Sequence, residues 1–364
     1  MQKTKQNNFE NELEQITPII NQLGFSLDTF QPHISGEKKL MRAVTTASGQ
    51  KLILIGHQEK GNKKVIIKIT KDKKGVHEIE KERICRDALK NIIFAYKIFF
   101  SPKEILFTKI EGYTISIQEY INQESTFLER PIEKQFSLAL KVFKAQEGAH
   151  ATTYRHKKII SKTFGYVDSD WYIKSYQEFK NNIGEASPEN KKLQETLQDG
   201  EMSLIKNKEI IEQYCGFLTH TDFVPHNFRV VNNDIYLLDH SSIRFGNKYE
   251  GWARFLNFMT LHNRPLEEAL LFYIKNNRTK EEQISLKLMR IYRLGEIIWY
   301  YTNLLQKTSG DLQTLTNERI KFWGAVLESI LKDQTISEEA VNKYKELRDS
   351  LRSDEEKQRQ KNLH

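Results

Sequence analysis

The stretch Phe217–Phe245, FLTHTDFVPHNFRVVNNDIYLLDHSSIRF, sets His220, Asp222, Asn227 and Asp239 around two short apolar runs. The runs, Phe228–Val231 and Ile235–Leu238, flank Asn232-Asn233-Asp234, the composition of a hairpin turn between two strands. Folded that way, the chain returns Asp239 beside Asn227. A carboxylate and an amide brought together from neighbouring strand ends suit Mg²⁺, a hard cation that takes oxygen ligands and few of them from protein. Asp222, on the loop before them, is left free to accept a hydroxyl proton.

The string HTDFVPHN followed by LLD resembles the catalytic loop of the aminoglycoside phosphotransferase and choline kinase-like superfamily. That loop is written H-G-D-x-x-x-x-N with a later metal-binding Asp, and is related to H-R-D-x-x-x-x-N and D-F-G of protein kinases. The resemblance implies an α+β, two-lobed protein kinase-like fold, with an antiparallel β-sheet amino lobe and a mainly helical carboxy lobe. It makes Asp222 the catalytic base, Asn227 and Asp239 the magnesium ligands, and His220 a brace for the loop. Thr221 and His226 replace glycines common in the family, and His240-Ser241-Ser242 stands where Phe-Gly marks a protein kinase. The three working side chains are intact.

A rival reading takes His220, Asp222, His226, Asp239 and His240 as nitrogen and oxygen ligands of a transition-metal hydrolase. Against it, no helical H-E-x-x-H and no dense histidine cluster completes a ligand set. A nucleotide-binding regulator without catalysis is a further alternative. A protein kinase is disfavoured because no D-F-G or A-P-E segment encloses an activation loop. The plainest alternative is a hairpin with polar ends and a buried histidine.

Upstream, the period changes. RAVTTASG, QKLILIGHQ and KVIIKIT read as consecutive antiparallel strands, with turns at Ser48-Gly49-Gln50 and Glu59-Lys60-Gly61-Asn62. Gly56 to Gly61 has the gap of a Walker-type loop, but Asn62 stands where lysine is required and the segment lies between strands. Nucleotide phosphates would instead lie under the first turn, where the Ser48 hydroxyl and small residues admit close backbone approach. Lys68 sits inside an apolar strand, and a buried ammonium needs an anion. It matches the family's strand lysine, which meets the α- and β-phosphates and a helical glutamate. In the helix expected over Val76 to Leu89, Glu78 and Glu82 share one face at a spacing of four residues, and Glu82 best fits the family's helix. An exposed lysine and a solvated glutamate are the ordinary alternatives. After the apolar segments FAYKIFFS and EILFTKI, the strand TISIQEYI ends where the two-lobed arrangement has its hinge. Main-chain groups of Glu119, Tyr120 and Ile121 would recognise the base of ATP or GTP.

Helical periodicity dominates elsewhere. Residues 9–23 predict an opening helix ended by Gly24, with Pro18 inside. Ile132, Phe136, Leu140 and Phe143 trace one face of a helix reaching His150, itself read as a satisfied core histidine. Residues 184–200 look like a surface loop or short helices. Trp252, Phe255 and Phe258 begin a helix, Ile284 to Leu305 gives a strongly amphipathic one, and Leu312 to Leu331 another. The organisation predicted is a nucleotide-binding lobe over 1–122, a catalytic and acceptor-binding lobe over 123–333, and a charged helical or disordered tail over 334–364.

Composition sets outer bounds. At 364 residues and 38% hydrophobic content, the chain can bury two cores. No apolar run approaches a membrane span and the N-terminus is too polar for a secretory signal, so a cytoplasmic, membrane-free protein is expected. Cys85 and Cys215 read as small buried thiols. The net charge of +8 is spread along the chain without the interleaved aromatics of a nucleic-acid platform. The expected partner is therefore a small-molecule hydroxyl acceptor. Lys248, Arg254, Arg264, Lys275, Arg278, Lys287, Arg290 and Arg293 outnumber the acids around them, which favours a sugar, amino sugar derivative or phosphorylated metabolite over a polycationic aminoglycoside.

Overall fold

A computed structural model of the protein describes residues 3–29, 31, 51–91, 100–150 and 154–352. The strand expected over Arg42 to Gly49, Ser48 with it, and most of FAYKIFFS lie outside the described residues.

The chain opens with α1 (Lys3–Gln22), which continues through Pro18 and ends at Gly24 with φ of 81°. Five antiparallel strands follow in spatial order β1-β2-β3-β5-β4: β1 (Phe25–Leu27), β2 (Leu52–Gln58), β3 (Lys63–Thr70), β4 (Glu104–Ile110) and β5 (Tyr113–Glu119). The β2–β3 turn works because Gly61 and Asn62 take φ of 88° and 48°.

Alternation along the strands gives this sheet two different faces. On one, Leu54, Val65, Ile67, Ile69, Ile115 and Ile117 pack against Ile16 and Ile20 of α1. Each such side chain is worth roughly 1.5–3 kcal/mol on burial. On the other lie Lys68, Thr70, Thr114, Ser116 and Gln118, all buried and all polar. Buried polar groups demand partners, and α2 (Lys73–Asn91), which packs on β3 and β5, supplies the main one.

The second lobe is helical. It comprises α3 (Ile132–Glu147), α4 (Tyr154–Phe164), α5 (Ser169–Ala186), α6 (Lys191–Lys206), α7 (Lys208–Gln213), α8 (Glu250–His262), α9 (Arg264–Asn277), α10 (Lys280–Leu305), α11 (Gly310–Leu331) and α12 (Glu338–Ser350). Between α7 and α8 come β6 (Phe217–His220), β7 (Phe228–Val231), β8 (Asp234–Leu237) and β9 (Ile243–Gly246), paired as β6–β9 and β7–β8. The core wraps Trp252, which stacks on Phe143 at 4.0 Å. Helix α10 begins with a full capping box, Thr279 and Glu282 satisfying each other's backbone N–H.

Three expectations are corrected. Helix α3 buries Leu138, Ala139, Val142 and Phe143 together with Gln135 and Gln146, so its inner face is turned from the one its apolar residues trace. Gln135 explains part of the turn: it donates to the carbonyls of Leu128 and Arg130 and accepts from Asn263. His150 lies beyond the helix and is exposed, stacked on Phe217 at 4.2 Å, not buried in the core. Residues 184–200 hold the end of α5 and the first part of α6 with a short turn over 187–190, because Asn190 caps α6 by accepting from Leu193 N–H. Of the two alternatives expected for the tail, its described part is helical: it forms α12, whose Val341 and Tyr344 are buried, Tyr344 stacked on Phe322 at 4.3 Å.

Candidate active site

Strand β6 carries the chain inward to His220, which is fully buried. A 3₁₀ turn over Pro225–Asn227 then delivers Asn227 to the start of β7, its proline at the first position, where a missing N–H costs nothing. The β7–β8 hairpin pairs Phe228 with Leu237 and turns at Asn232, whose φ is 55°. Leu238 N–H donates to the Asn227 carbonyl at 2.8 Å, so Asp239 emerges beside Asn227.

Asp222 is not the free carboxylate expected of it. Asn227 Nδ2 donates to its backbone oxygen at 2.8 Å and to Oδ2 at 2.7 Å, while Arg254 Nε from α8 donates to Oδ1 at 2.8 Å. Burial opposes ionisation of this group, but the guanidinium charges of Arg254 and Arg293 outweigh it and hold the carboxyl below the usual range. The side chain keeps 41% of its surface open, so a substrate hydroxyl can reach it.

Asp239 is organised by the residues that follow it. Ser241 donates its N–H and its hydroxyl to Oδ1 at 2.8 and 2.6 Å, and the Ser242 hydroxyl donates to Oδ2 at 3.0 Å. The serines standing in place of Phe-Gly therefore fix the carboxylate. Burial opposes its charge, yet Lys51, His220 and these donors keep its carboxyl well below the ordinary range. His220 Nε2 lies 2.6 Å from the Asp239 carbonyl, tying the end of β6 to the end of the hairpin. Burial pushes the His220 imidazole down, toward its neutral form.

From the amino lobe, Lys68 Nζ donates to both oxygens of Glu82, at 2.6 and 2.7 Å, and to the Leu238 carbonyl at 2.9 Å. Gln118 adds a donor to Glu82 Oε1 at 3.2 Å. The two lobes thus meet one residue from Asp239. Glu78, sharing the helix face, pairs with Lys51 at 2.9 Å.

The donor chemistry fits a magnesium ion. Asn227 spends its amide nitrogen on Asp222, so the oxygen of that amide and the Asp239 carboxylate are the groups on offer, and Mg²⁺ takes oxygens. The hydrolase ligand set is not assembled. His220 is turned to a carbonyl, His240 Nε2 lies 2.7 Å from the Ser101 hydroxyl, and the His226 ring meets Phe258 edge-on at 5.4 Å. Burial drives His240 down to about 3, leaving it neutral. Among the described residues no three His, Cys, Asp or Glu side chains gather as a metal site.

At the hinge, Glu119 N–H donates to the Lys103 carbonyl at 2.9 Å and Tyr120 N–H to that of Lys64 at 3.3 Å. Those two donors, expected to face a nucleotide base, are spent inside the lobe. Both thiols are buried, and burial raises Cys85 to about 11.

Two site residues were missed by sequence reasoning, Lys51 and Arg254. Neither belongs to a motif; each reaches the site from another element, Arg254 from 32 residues away in sequence. The basic residues after Asn247 are mostly internal partners: Lys248 pairs with Glu282, Arg264 with Glu268, Arg278 with Glu147, Lys287 with Asp333, Arg290 with Glu267 and Arg293 with Glu296. Gross charge there says little about a ligand. Arg254 alone of them contacts a proposed catalytic residue.

Solved structures share this architecture. A thermostable mutant of aminoglycoside phosphotransferase APH(4)-Ia, in its apo form, superposes with a TM-score of 0.57 at 14% identity, over 86% of this chain and 97% of that one. Macrolide 2'-phosphotransferase MphH from Brachybacterium faecium gives 0.52 at 9% identity, over 85% and 98%. Another APH(4)-Ia mutant, in ternary complex with AMP-PNP and hygromycin B, gives 0.51 at 14% identity, over 79% and 97%. No family model and no curated protein matches the sequence. The fold is the two-lobed, protein kinase-like one. More narrowly, it is the version seen in aminoglycoside and macrolide phosphotransferases. No helix among the described residues is long and apolar enough to cross a membrane.

Proposed function

We propose that the protein is a phosphotransferase that moves the γ-phosphoryl group of ATP, or of GTP, to a hydroxyl of a small molecule, with Mg²⁺ bound by Asn227 and Asp239. One observation carries this reading: the Lys68–Glu82 pair of the amino lobe is hydrogen-bonded to Leu238, immediately before Asp239 and across from Asn227 and Asp222. A cation ready for phosphate, two oxygen donors ready for a metal and a carboxylate ready for a hydroxyl meet where the lobes meet.

In this mechanism Lys68 grips the α- and β-phosphates, its own position held by Glu82 and Gln118. The bound metal, when present, neutralises phosphate charge. Asp222, ionised and held by Asn227, accepts the hydrogen bond of the acceptor hydroxyl and orients its oxygen for in-line attack. As the new oxygen–phosphorus bond forms and the bond to the departing diphosphate breaks, the hydroxyl proton passes to Asp222. A carboxyl held this acidic takes the proton late, so positioning supplies more of the acceleration than basicity. Arg254, already on Asp222, lowers the negative charge offered to the acceptor. That favours a sugar, an amino sugar derivative or a phosphorylated metabolite over a polycation.

The test is nucleotide turnover against a panel of sugars, sugar phosphates, aminoglycosides and macrolides, with Asp222→Ala and Asp239→Ala beside wild type. Asp222→Ala is expected to lose turnover and keep nucleotide binding, and Asp239→Ala to lose Mg²⁺-dependent nucleotide binding. Unchanged activity in both removes the proposal. Turnover of a carboxylate ester or phosphate ester without nucleotide would favour the hydrolase reading instead.

A further inference from the structure

Lys68 is not the only ammonium on the polar face of the amino-lobe sheet. Ile53 is paired directly with Lys68 across β2 and β3. Lys51 leads directly into β2, two residues before Ile53, and like Lys68 it is turned to α2, where it meets Glu78. Across from them, Glu78 and Glu82 are one helical turn apart on α2. Two lysines on the sheet thus oppose two glutamates on the helix, Lys51 with Glu78 and Lys68 with Glu82.

The two pairs are not alike. Lys68 is hydrogen-bonded to both oxygens of Glu82 at 2.6 and 2.7 Å. Lys51 meets Glu78 Oε2 at 2.9 Å, but off the hydrogen-bonding direction, since that buried oxygen has no aligned donor among the described residues. Its ammonium is therefore held less tightly by α2 than that of Lys68.

We propose that Lys51 is a second phosphate-binding lysine, sharing with Lys68 the charge of a nucleoside triphosphate held between the lobes. This rests on the nucleotide-dependent reading of the site and adds a division of labour within it. Lys68, locked by Glu82, fixes position; Lys51, loosely held by Glu78, turns to the incoming phosphates. A purely structural role, bracing α2 against β2, would need Glu78 as much as Lys51.

Calorimetric titration with AMP-PNP, with Mg²⁺ and again in chelator, separates the two roles. Lys51→Met is expected to weaken binding about tenfold, the loss of one charge-assisted contact. Lys51→Arg should stay close to wild type, and Glu78→Gln should bind at least as tightly as wild type, its lysine released. Equal weakening in Lys51→Met and Glu78→Gln, or wild-type affinity in Lys51→Met, overturns the proposal. Absence of AMP-PNP binding by the wild-type protein would instead remove the phosphotransferase reading itself. Thermal melts of each variant show whether a loss of affinity is a loss of fold; if Lys51→Met melts early, Lys51→Gln in the same titration decides, again with tenfold weakening expected.

Discussion

Arg254 Nε and Asp222 Oδ1 stand 2.8 Å apart, a helix side chain closing on the carboxylate proposed to receive the acceptor's proton. Because that guanidinium holds the Asp222 carboxyl down, removing it must let the group rise. In Arg254→Leu, the acid limb of the pH profile of kcat/KM is expected to move to higher pH, with activity lost first under acidic conditions. Coincident acid limbs in the two proteins would show that the pair does not act on the base.

Asp222→Asn keeps the shape of the side chain and removes its ability to take a proton. Turnover should fall about 10²–10⁴-fold while nucleotide affinity stays near wild type, as measured by steady-state kinetics and titration. A matching fall in affinity would place Asp222 in nucleotide binding instead.

Lys68 and Glu82 act as one unit, so their effects should not add. Single variants Lys68→Met and Glu82→Gln are each expected to depress kcat, and the double variant to be little worse than the worse single one. The double-mutant cycle should give a coupling of about 0.5–3 kcal/mol in transition-state free energy; additivity would mean that Glu82 does not position the lysine.

His240 and His220 are buried in neutral form, the first pushed down to about 3 by burial. The unfolded chain takes up these protons below an ordinary pKa near 6.5, whereas the native protein resists at His240 until about 3 and is shifted in the same direction at His220. Their contribution to stability is therefore complete above about 6.5 and lost as pH falls from there, by up to about 1.4 kcal/mol per pH unit for each group. Denaturant midpoints between pH 7 and 4 test this, and His240→Gln should flatten part of the slope.

Tyr344 is nearly buried and lies on Phe322 with the rings 15° from parallel. Tyr344→Ala should cost about 3 kcal/mol, as for other large buried aromatics, read as a lower denaturant midpoint with kcat unchanged. An unaltered midpoint would return α12 to the status of a loosely attached tail.

Local chemistry was legible where it was local. The hairpin around Asn232, the β2–β3 turn and the existence of the long helix α10 follow from turn residues, alternation and helical period, while Glu82 as partner of Lys68 came from the family resemblance. Helix α10 is not amphipathic as expected, since 288–295 are buried on every face. What escaped was tertiary. Nothing near Arg254 in the sequence signals that its guanidinium will meet Asp222, and nothing near Lys51 announces its pairing with Glu78 on the helix that also carries Glu82. The turn of α3 escaped because Gln135 is buried by its hydrogen bonds, which hydrophobic patterning does not see. The charge-based argument about the acceptor failed in its first form because most of those arginines and lysines were already spoken for by glutamates and aspartates.

Phe100, ahead of β4, exchanges backbone hydrogen bonds with the β7–β8 hairpin, donating to Ile235 at 3.1 Å and accepting from Leu237 at 2.9 Å. The amino lobe is thereby stitched to the very strand that presents Asp239. If the halves open and close around a nucleotide, that seam is the pivot: the jaw must swing about Phe100, and the far rim must travel the longest path.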